Sequence, residues 1–159
     1  IHLTLKFLGD VAPAQVAPIT VAMRAAAGRS RPLHFALAGL GCFPNARRPR
    51  VVWAGVEEES GALRALQKAV EEELGKLGFT PEGRPFSPHL TLGRVRREVK
   101  PAAAQEIGQA IHGMPAALIG RQEVSSIHLF RSDLRPAGPI YTSLAELRLG
   151  DAAARPTNS

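Results

Sequence analysis

The tetrapeptide His-Leu-Thr-Leu occurs twice, at 2–5 and at 89–92, each time inside a longer alternation of apolar and polar residues, HLTLKFLG and HLTLGR. Alternation with a period of two suits a strand with one covered face and does not suit a helix. In the first copy Ile1, Leu3, Leu5 and Phe7 fall on one face, expected to be core, and His2, Thr4 and Lys6 on the other. Two identical strands 87 positions apart in a chain of 159 residues imply a fold built twice.

The remaining segments agree with that reading. Gly9-Asp10 ends the first strand, and helical spacing follows over 13–27, with Pro18 disfavouring the first turns. Strands are expected over 33–40 and 51–56, and a helix over 61–77, capped by Ser60, with Leu63, Leu66, Val70, Leu74 and Leu77 on one stripe. The second HLTL strand spans 89–95, then come a helix over 102–112, a strand over 124–130, a Pro/Gly loop and a last strand over 140–147. Adding 87 carries 34–40 onto 121–127 and 51–56 onto 138–143, so each half reads β-α-β-β. A strand and a helix over 51–88 precede the second HLTL. By the same symmetry roughly 40 residues of strand and helix are expected ahead of the first. One domain over 1–150 with interleaved lobes is expected, followed by a flexible tail over 151–159 whose residues are small and polar.

The charge narrows the partners. A net charge of +6 and a pI near 10.4, supplied mostly by arginine, attract phosphates, nucleic acid or anionic surfaces. The lone Cys42 excludes an intramolecular disulfide and fits a reducing cytoplasm. No apolar run approaches the ~20 residues that span a bilayer, so no membrane is expected as a partner.

His and Thr two apart on a strand point the same way, about 7 Å from each other. Two such strands brought together surround one cavity with two imidazoles and two hydroxyls. A histidine pair can act as general base and general acid without a metal, and hydroxyls with nearby arginines can hold a tetrahedral anion. That is equipment for splitting a cyclic phosphodiester. A single HLTL would be an amphipathic strand and no more; the repetition is what gives it chemical meaning. Zinc is the competing use of two histidines, but it needs a third protein ligand. The sequence offers no HxxxH or CxxC, and only Asp10 is an acidic neighbour of either motif.

Four stretches, HLTLKFLG, FPNARRPRVVWAGV, PFSPHLTLGR and SSIHLFRSDLRPAGPIYTSLAEL, resemble the 2H phosphoesterase superfamily. The closer likeness is to its RNA 2′,3′-cyclic phosphodiesterase branch, historically called 2′-5′ RNA ligase. The resemblance implies a bilobal α+β fold of duplicated β-α-β-β units. Two antiparallel sheets would face across a central cleft with helices on the outer faces, each sheet contributing one HxT motif. It implies metal-independent, cofactor-free opening of an RNA terminal 2′,3′-cyclic phosphate to a 2′-phosphate, and reversible ATP-independent 2′-5′ ligation. The implied partners are RNA with 2′,3′-cyclic phosphate ends, tRNA fragments or small cyclic nucleotides, handled by a monomer. Carried over by residue, His2 and His89 are the acid–base pair, with His89 favoured as base, and Thr4 and Thr91 bind the phosphate. A nucleotide- or RNA-binding module without turnover, and a phosphodiesterase for 2′-5′ oligonucleotides, remain as alternatives.

Further candidates are weaker. Arg94, three past Thr91, would lie on the opposite face of a regular strand, although it could swing in at the strand end. Lys6 shares the face of His2 and Thr4 and could stabilise anionic charge. Arg47, beside Arg48 and Arg50, could attract an RNA backbone. Trp53 and Phe43 could stack on a base. His34, His112 and His128 lack a partner threonine and read as ordinary surface or strand residues.

Overall fold

The computed structural model describes residues 1–135 and 138–151, so the expected tail over 151–159 lies, apart from Asp151, outside the described residues. A 3-10 turn, Pro13–Gln15, leads into α1 (Val16–Gly28); then follow β1 (Leu33–Phe43), β2 (Val51–Glu57), α2 (Ala62–Gly75), β3 (His89–Arg94), α3 (Pro101–His112), β4 (Leu118–Val124), β5 (Ser126–Arg135) and β6 (Gly138–Arg148). The fold is α+β with two sheets, as expected, one of four strands in the order β3-β2-β1-β4 and one of two, β5-β6.

The helices form where the apolar spacing put them. Pro18 does not interfere with α1, because it falls in the first turn, where amide N–H groups have no intrahelical acceptor. Ser60 Oγ accepts the Ala62 amide at 3.2 Å, and α2 ends at Gly75, two residues before Leu77. The sequence reading missed β4. Its LIGRQEV segment is exposed at most positions and sits at the end of the sheet order, so it carries no burial periodicity to read. The expected loop in the last quarter is instead a long hairpin, with pairing that continues to Arg135 opposite Gly138.

The chain divides into two compact units. The first comprises 1–5, 34–59 and 86–122, and the second 6–33, 60–85 and the described residues from 123 to 151. In the second unit α1 packs on α2 and on β5 and β6. Ile19, Met23 and Ala26 of α1, Leu66, Val70 and Leu74 of α2, and Ile127, Leu129 and Leu147 of the hairpin are all buried. The first unit has a thinner core, in which Phe35, Ala54 and Ile111 are buried.

Two expectations about the first HLTL are corrected. Residues 1–8 do not form a ladder; Leu3 makes an isolated antiparallel bridge to Leu90, and the backbone bends at Leu5. The bend ends the alternation, so Phe7 does not share the half-buried environment of Leu3 and is 83% exposed. Nor does each sheet supply one motif. Both HxT pairs belong to the first unit, side by side, because Leu3 pairs with β3 itself.

Gly108 marks the tightest approach in the first unit. A Cβ at this position of α3 would stand 2.0 Å from the carbonyl oxygen of Ala46, which is backbone and cannot rotate away. Gly to Ala inside a helix ordinarily stabilises by about 1 kcal/mol. Here the overpacking cost of roughly 1–3 kcal/mol wins, and Gly108→Ala should lower the midpoint of urea unfolding. A raised midpoint would show that the helix and the loop are not held together as described.

Candidate active site

Strand register determines which side chains share a face. His89 of β3 pairs with Gly55 of β2, Thr91 with Trp53 and Arg94 with Val51; across β2, Trp53 pairs with Gly41 and Val51 with Phe43 of β1. Residues directly opposite one another in an antiparallel pair project from the same face. The Leu3–Leu90 bridge extends these rows, setting His2 opposite Thr91 and Thr4 opposite His89. Both HxT pairs therefore project from one face. Leu3, Leu90 and the buried Ala54, which pairs with Leu90, project from the other. Opposite Cβ atoms stand about 5 Å apart and diagonal ones about 7–8 Å. The two imidazoles thus leave the sheet on a diagonal, each beside the threonine of the other motif.

A bulge changes the position of Arg94. The β2–β3 register passes from Trp53↔Thr91 to Val52↔Gly93, so Leu92 is an extra residue on β3. An inserted residue reverses the alternation beyond it. Arg94, which a regular strand would have placed on the opposite face, is returned to the face of His89 and Thr91, with its side chain exposed.

The His89 ring is held from two directions. Its Nδ1 lies 2.8 Å from the Ser87 carbonyl oxygen. A carbonyl only accepts, so Nδ1 carries the proton and Nε2 of the neutral ring holds the free lone pair. Phe43 meets the imidazole edge-on with centroids 5.1 Å apart, and Trp53 lies 6.2 Å away; Phe43 and Trp53 are 5.3 Å from each other. Trp53 reaches this position because Gly41 has no side chain. A Cβ on Gly41 would stand 2.2 Å from the indole Cζ2. The sequence pattern singles out neither Gly41 nor the Ser87 carbonyl.

His2 is half-buried, and its pKa is lowered from the usual 6.5, chiefly by burial of the charged form. Lys6 does not act as its sequence position suggested. Past the bend at Leu5 its ammonium donates to Glu71 Oε2 at 2.6 Å and to the Thr80 carbonyl at 2.8 Å, within the second unit. A lysine side chain only 5% exposed and paired in this way is committed to structure. Arg47 is exposed in the loop between β1 and β2, where the Asn45 side chain accepts the Arg47 and Arg48 amides at 3.0 and 3.1 Å. Among the described residues no group of three or more His, Cys, Asp or Glu side chains is placed to hold a metal ion. No helix of the described residues is long and apolar enough to cross a membrane.

Comparison with known proteins places this geometry in context. Residues 1–135 match the model of the 2′-5′ RNA ligase superfamily. The RNA 2′,3′-cyclic phosphodiesterase of Methanothermobacter thermautotrophicus is 39% identical over 94% of this chain and 78% of its own length. The protein of the same description from Aeropyrum pernix is 40% identical over 92% and 81%. A crystal structure of a Thermus thermophilus protein superposes with a TM-score of 0.75 at 30% identity, covering 94% of this chain and 78% of that one. The crystal structure of Escherichia coli LigT complexed with 3′-AMP gives 0.67 at 25% identity, over 93% and 76%.

The lowered pKa of His2 makes a solution prediction. Its folded value lies below its unfolded value, so the ring is neutral in both states well above 6.5 and contributes nothing to stability there. As pH falls through 6.5 the unfolded chain takes up the proton first, and stability declines. An NMR titration of the His2 ring should give a midpoint below 6.5, and a midpoint above 6.5 would contradict the burial described.

Proposed function

The chain belongs to the 2′-5′ RNA ligase superfamily, and on that premise we propose that it is an RNA 2′,3′-cyclic phosphodiesterase that opens the terminal ring to a 2′-phosphate by proton transfer between two histidines. The observation that supports the proposal is the Leu3–Leu90 bridge together with the β2–β3 register, from which His2, Thr4, His89, Thr91 and Arg94 are read as sharing one sheet face. The relatives described as RNA 2′,3′-cyclic phosphodiesterases support it.

In the proposed reaction Thr4, Thr91 and Arg94 hold the non-bridging oxygens of the cyclic phosphate, opposing the charge that grows on them in the transition state. His89 acts as base through Nε2, because its Nδ1–H is occupied by the Ser87 carbonyl. Water loses a proton to His89 and its oxygen bonds to phosphorus. The bond from phosphorus to the 3′ oxygen breaks in line, and His2 delivers a proton to that oxygen. With an RNA 5′-hydroxyl in place of water the same displacement forms a 2′-5′ linkage, the histidines keeping their roles; in the reverse reaction the 3′-hydroxyl attacks that linkage, the 5′ oxygen leaves and the roles are swapped. RNA ends and small cyclic nucleotides are the substrates this face suits, and the single thiol Cys42 suits a reducing cytoplasm.

His89→Ala and His2→Ala should each reduce kcat for a 2′,3′-cyclic dinucleotide by about 10²–10⁴-fold with an unchanged circular dichroism spectrum. Unimpaired turnover by either would refute the proposal. EDTA should leave the wild-type rate unchanged, and a metal-dependent rate would contradict a mechanism built on two imidazoles. The roles separate with a substrate carrying sulfur in place of the 3′ bridging oxygen, since a thiolate leaves without a proton. The His2→Ala defect should then largely vanish and the His89→Ala defect persist; the opposite pattern would exchange the assignments.

A further inference from the structure

The net charge of +6 is concentrated in one place. Of the 20 lysines and arginines, seven lie in the segments 44–50 and 94–100, which hold a single acidic residue, Glu98, while the other 13 basic and 13 acidic residues cancel. The fold brings these two segments together. Phe43 pairs with Val51, and Val51 with Arg94, as the end rungs of the β1–β2 and β2–β3 ladders. The Val95 amide then donates to the Arg50 carbonyl at 3.0 Å, which carries the pairing one residue further. The loop bearing Arg47, Arg48 and Arg50 and the connection bearing Arg96, Arg97 and Lys100 therefore leave the sheet at the same end, with all six side chains exposed. The ion pairs made by Lys6, Arg29, Lys76 and Arg131 lie outside both segments. Like charges gathered in this way repel one another and disfavour the folded state. A polyanion that spans them removes the repulsion and releases the counterions it carries.

We propose that this end of the sheet is the docking surface for the phosphodiester backbone of an RNA chain whose cyclic end occupies the HxT face, so that the substrate is a polynucleotide and not a mononucleotide. The inference rests on the phosphodiesterase reading, which places the terminal phosphate at Thr4 and Thr91. Arg94 stands three residues past Thr91 on β3, about 10 Å along the strand, and the arginine-bearing segments continue from it. A mononucleoside cyclic phosphate has one phosphate and spends it at the HxT face. Each further nucleotide adds a phosphate that the sheet end can neutralise. Six of the seven cations are arginine, whose planar fork matches phosphate oxygens bidentately. An anionic membrane would feel the same charge, but stable attachment there asks for an apolar anchor as well. Neither segment contains an exposed large apolar side chain.

Chain length and salt read this surface directly. For an unstructured RNA of about 12 nucleotides with a 2′,3′-cyclic end, contact with about four phosphates gives log Kd a slope near 3 against log salt concentration. At low salt its kcat/KM should exceed that of the cyclic dinucleotide at least about tenfold, through KM. Combining Arg48→Gln, Arg50→Gln, Arg96→Gln and Arg97→Gln should cut the slope to about 1 and abolish the length advantage, with dinucleotide turnover and the urea midpoint unchanged. Lysine at the same four positions should keep the slope, which counts charges. Arg24→Gln, Arg31→Gln, Arg64→Gln and Arg148→Gln together remove as much charge elsewhere and should leave the slope as in wild type. A wild-type slope of about 1 or less, or equal losses from the two glutamine sets, would overturn the surface. So would arginine-dependent binding to phosphatidylserine vesicles with no length advantage for RNA. Dinucleotide hydrolysis without a length advantage overturns the docking surface alone. Arginine-dependent RNA binding with hydrolysis of neither substrate overturns the catalytic reading alone, and neither binding nor hydrolysis overturns both.

Discussion

The antiparallel bridge between Leu3 and Leu90 is the contact on which the proposed chemistry depends. An HxT strand by itself displays one imidazole and one hydroxyl. Pairing the two copies antiparallel at their central leucines does more than double the number of groups. It places each histidine opposite the other motif's threonine and separates the two imidazoles along a diagonal. That spacing suits a reaction in which one proton leaves a nucleophile on one side of phosphorus and another arrives at a leaving group on the other. The leucines that set the pairing are half-buried and project from the opposite face. Displacing Leu3 or Leu90 would alter the site without touching any polar side chain.

The surroundings refine this arrangement through backbone features. The extra residue at Leu92 returns Arg94 to the face of His89. The Ser87 carbonyl orients the His89 ring, and the absence of a side chain at Gly41 lets Trp53 lie across β1 and help confine that ring. His2 receives a different environment, partial burial that disfavours its charged form. Two chemically identical side chains are thereby given unequal surroundings, as acid–base partners require.

Much of this was legible in the sequence because it is periodic. The HLTL duplication, the helices and three of the four strands of the first sheet follow from alternation and helical spacing. Where the chain departs from periodicity the reading failed. Phe7 and Lys6 were placed by extending an alternation that the bend at Leu5 interrupts. Arg94 was set on the opposite face by ignoring a bulge whose one sequence trace is Gly93. The edge strand β4 carries no burial pattern to detect. Gly41 has meaning only through the strand across from it, and no local pattern reveals which residue a glycine faces. Repetition in the sequence singled out the candidate residues, and irregularities of the backbone determine the face from which they project.

The most direct test of the account is hydrolysis of an RNA 2′,3′-cyclic phosphate dinucleotide in ¹⁸O-enriched water containing EDTA, followed by ³¹P NMR of the product. Acid–base opening by two imidazoles predicts a 2′-phosphate bearing a single ¹⁸O, formed at the same rate as without chelator. A 3′-phosphate product, or a reaction that EDTA stops, would contradict it.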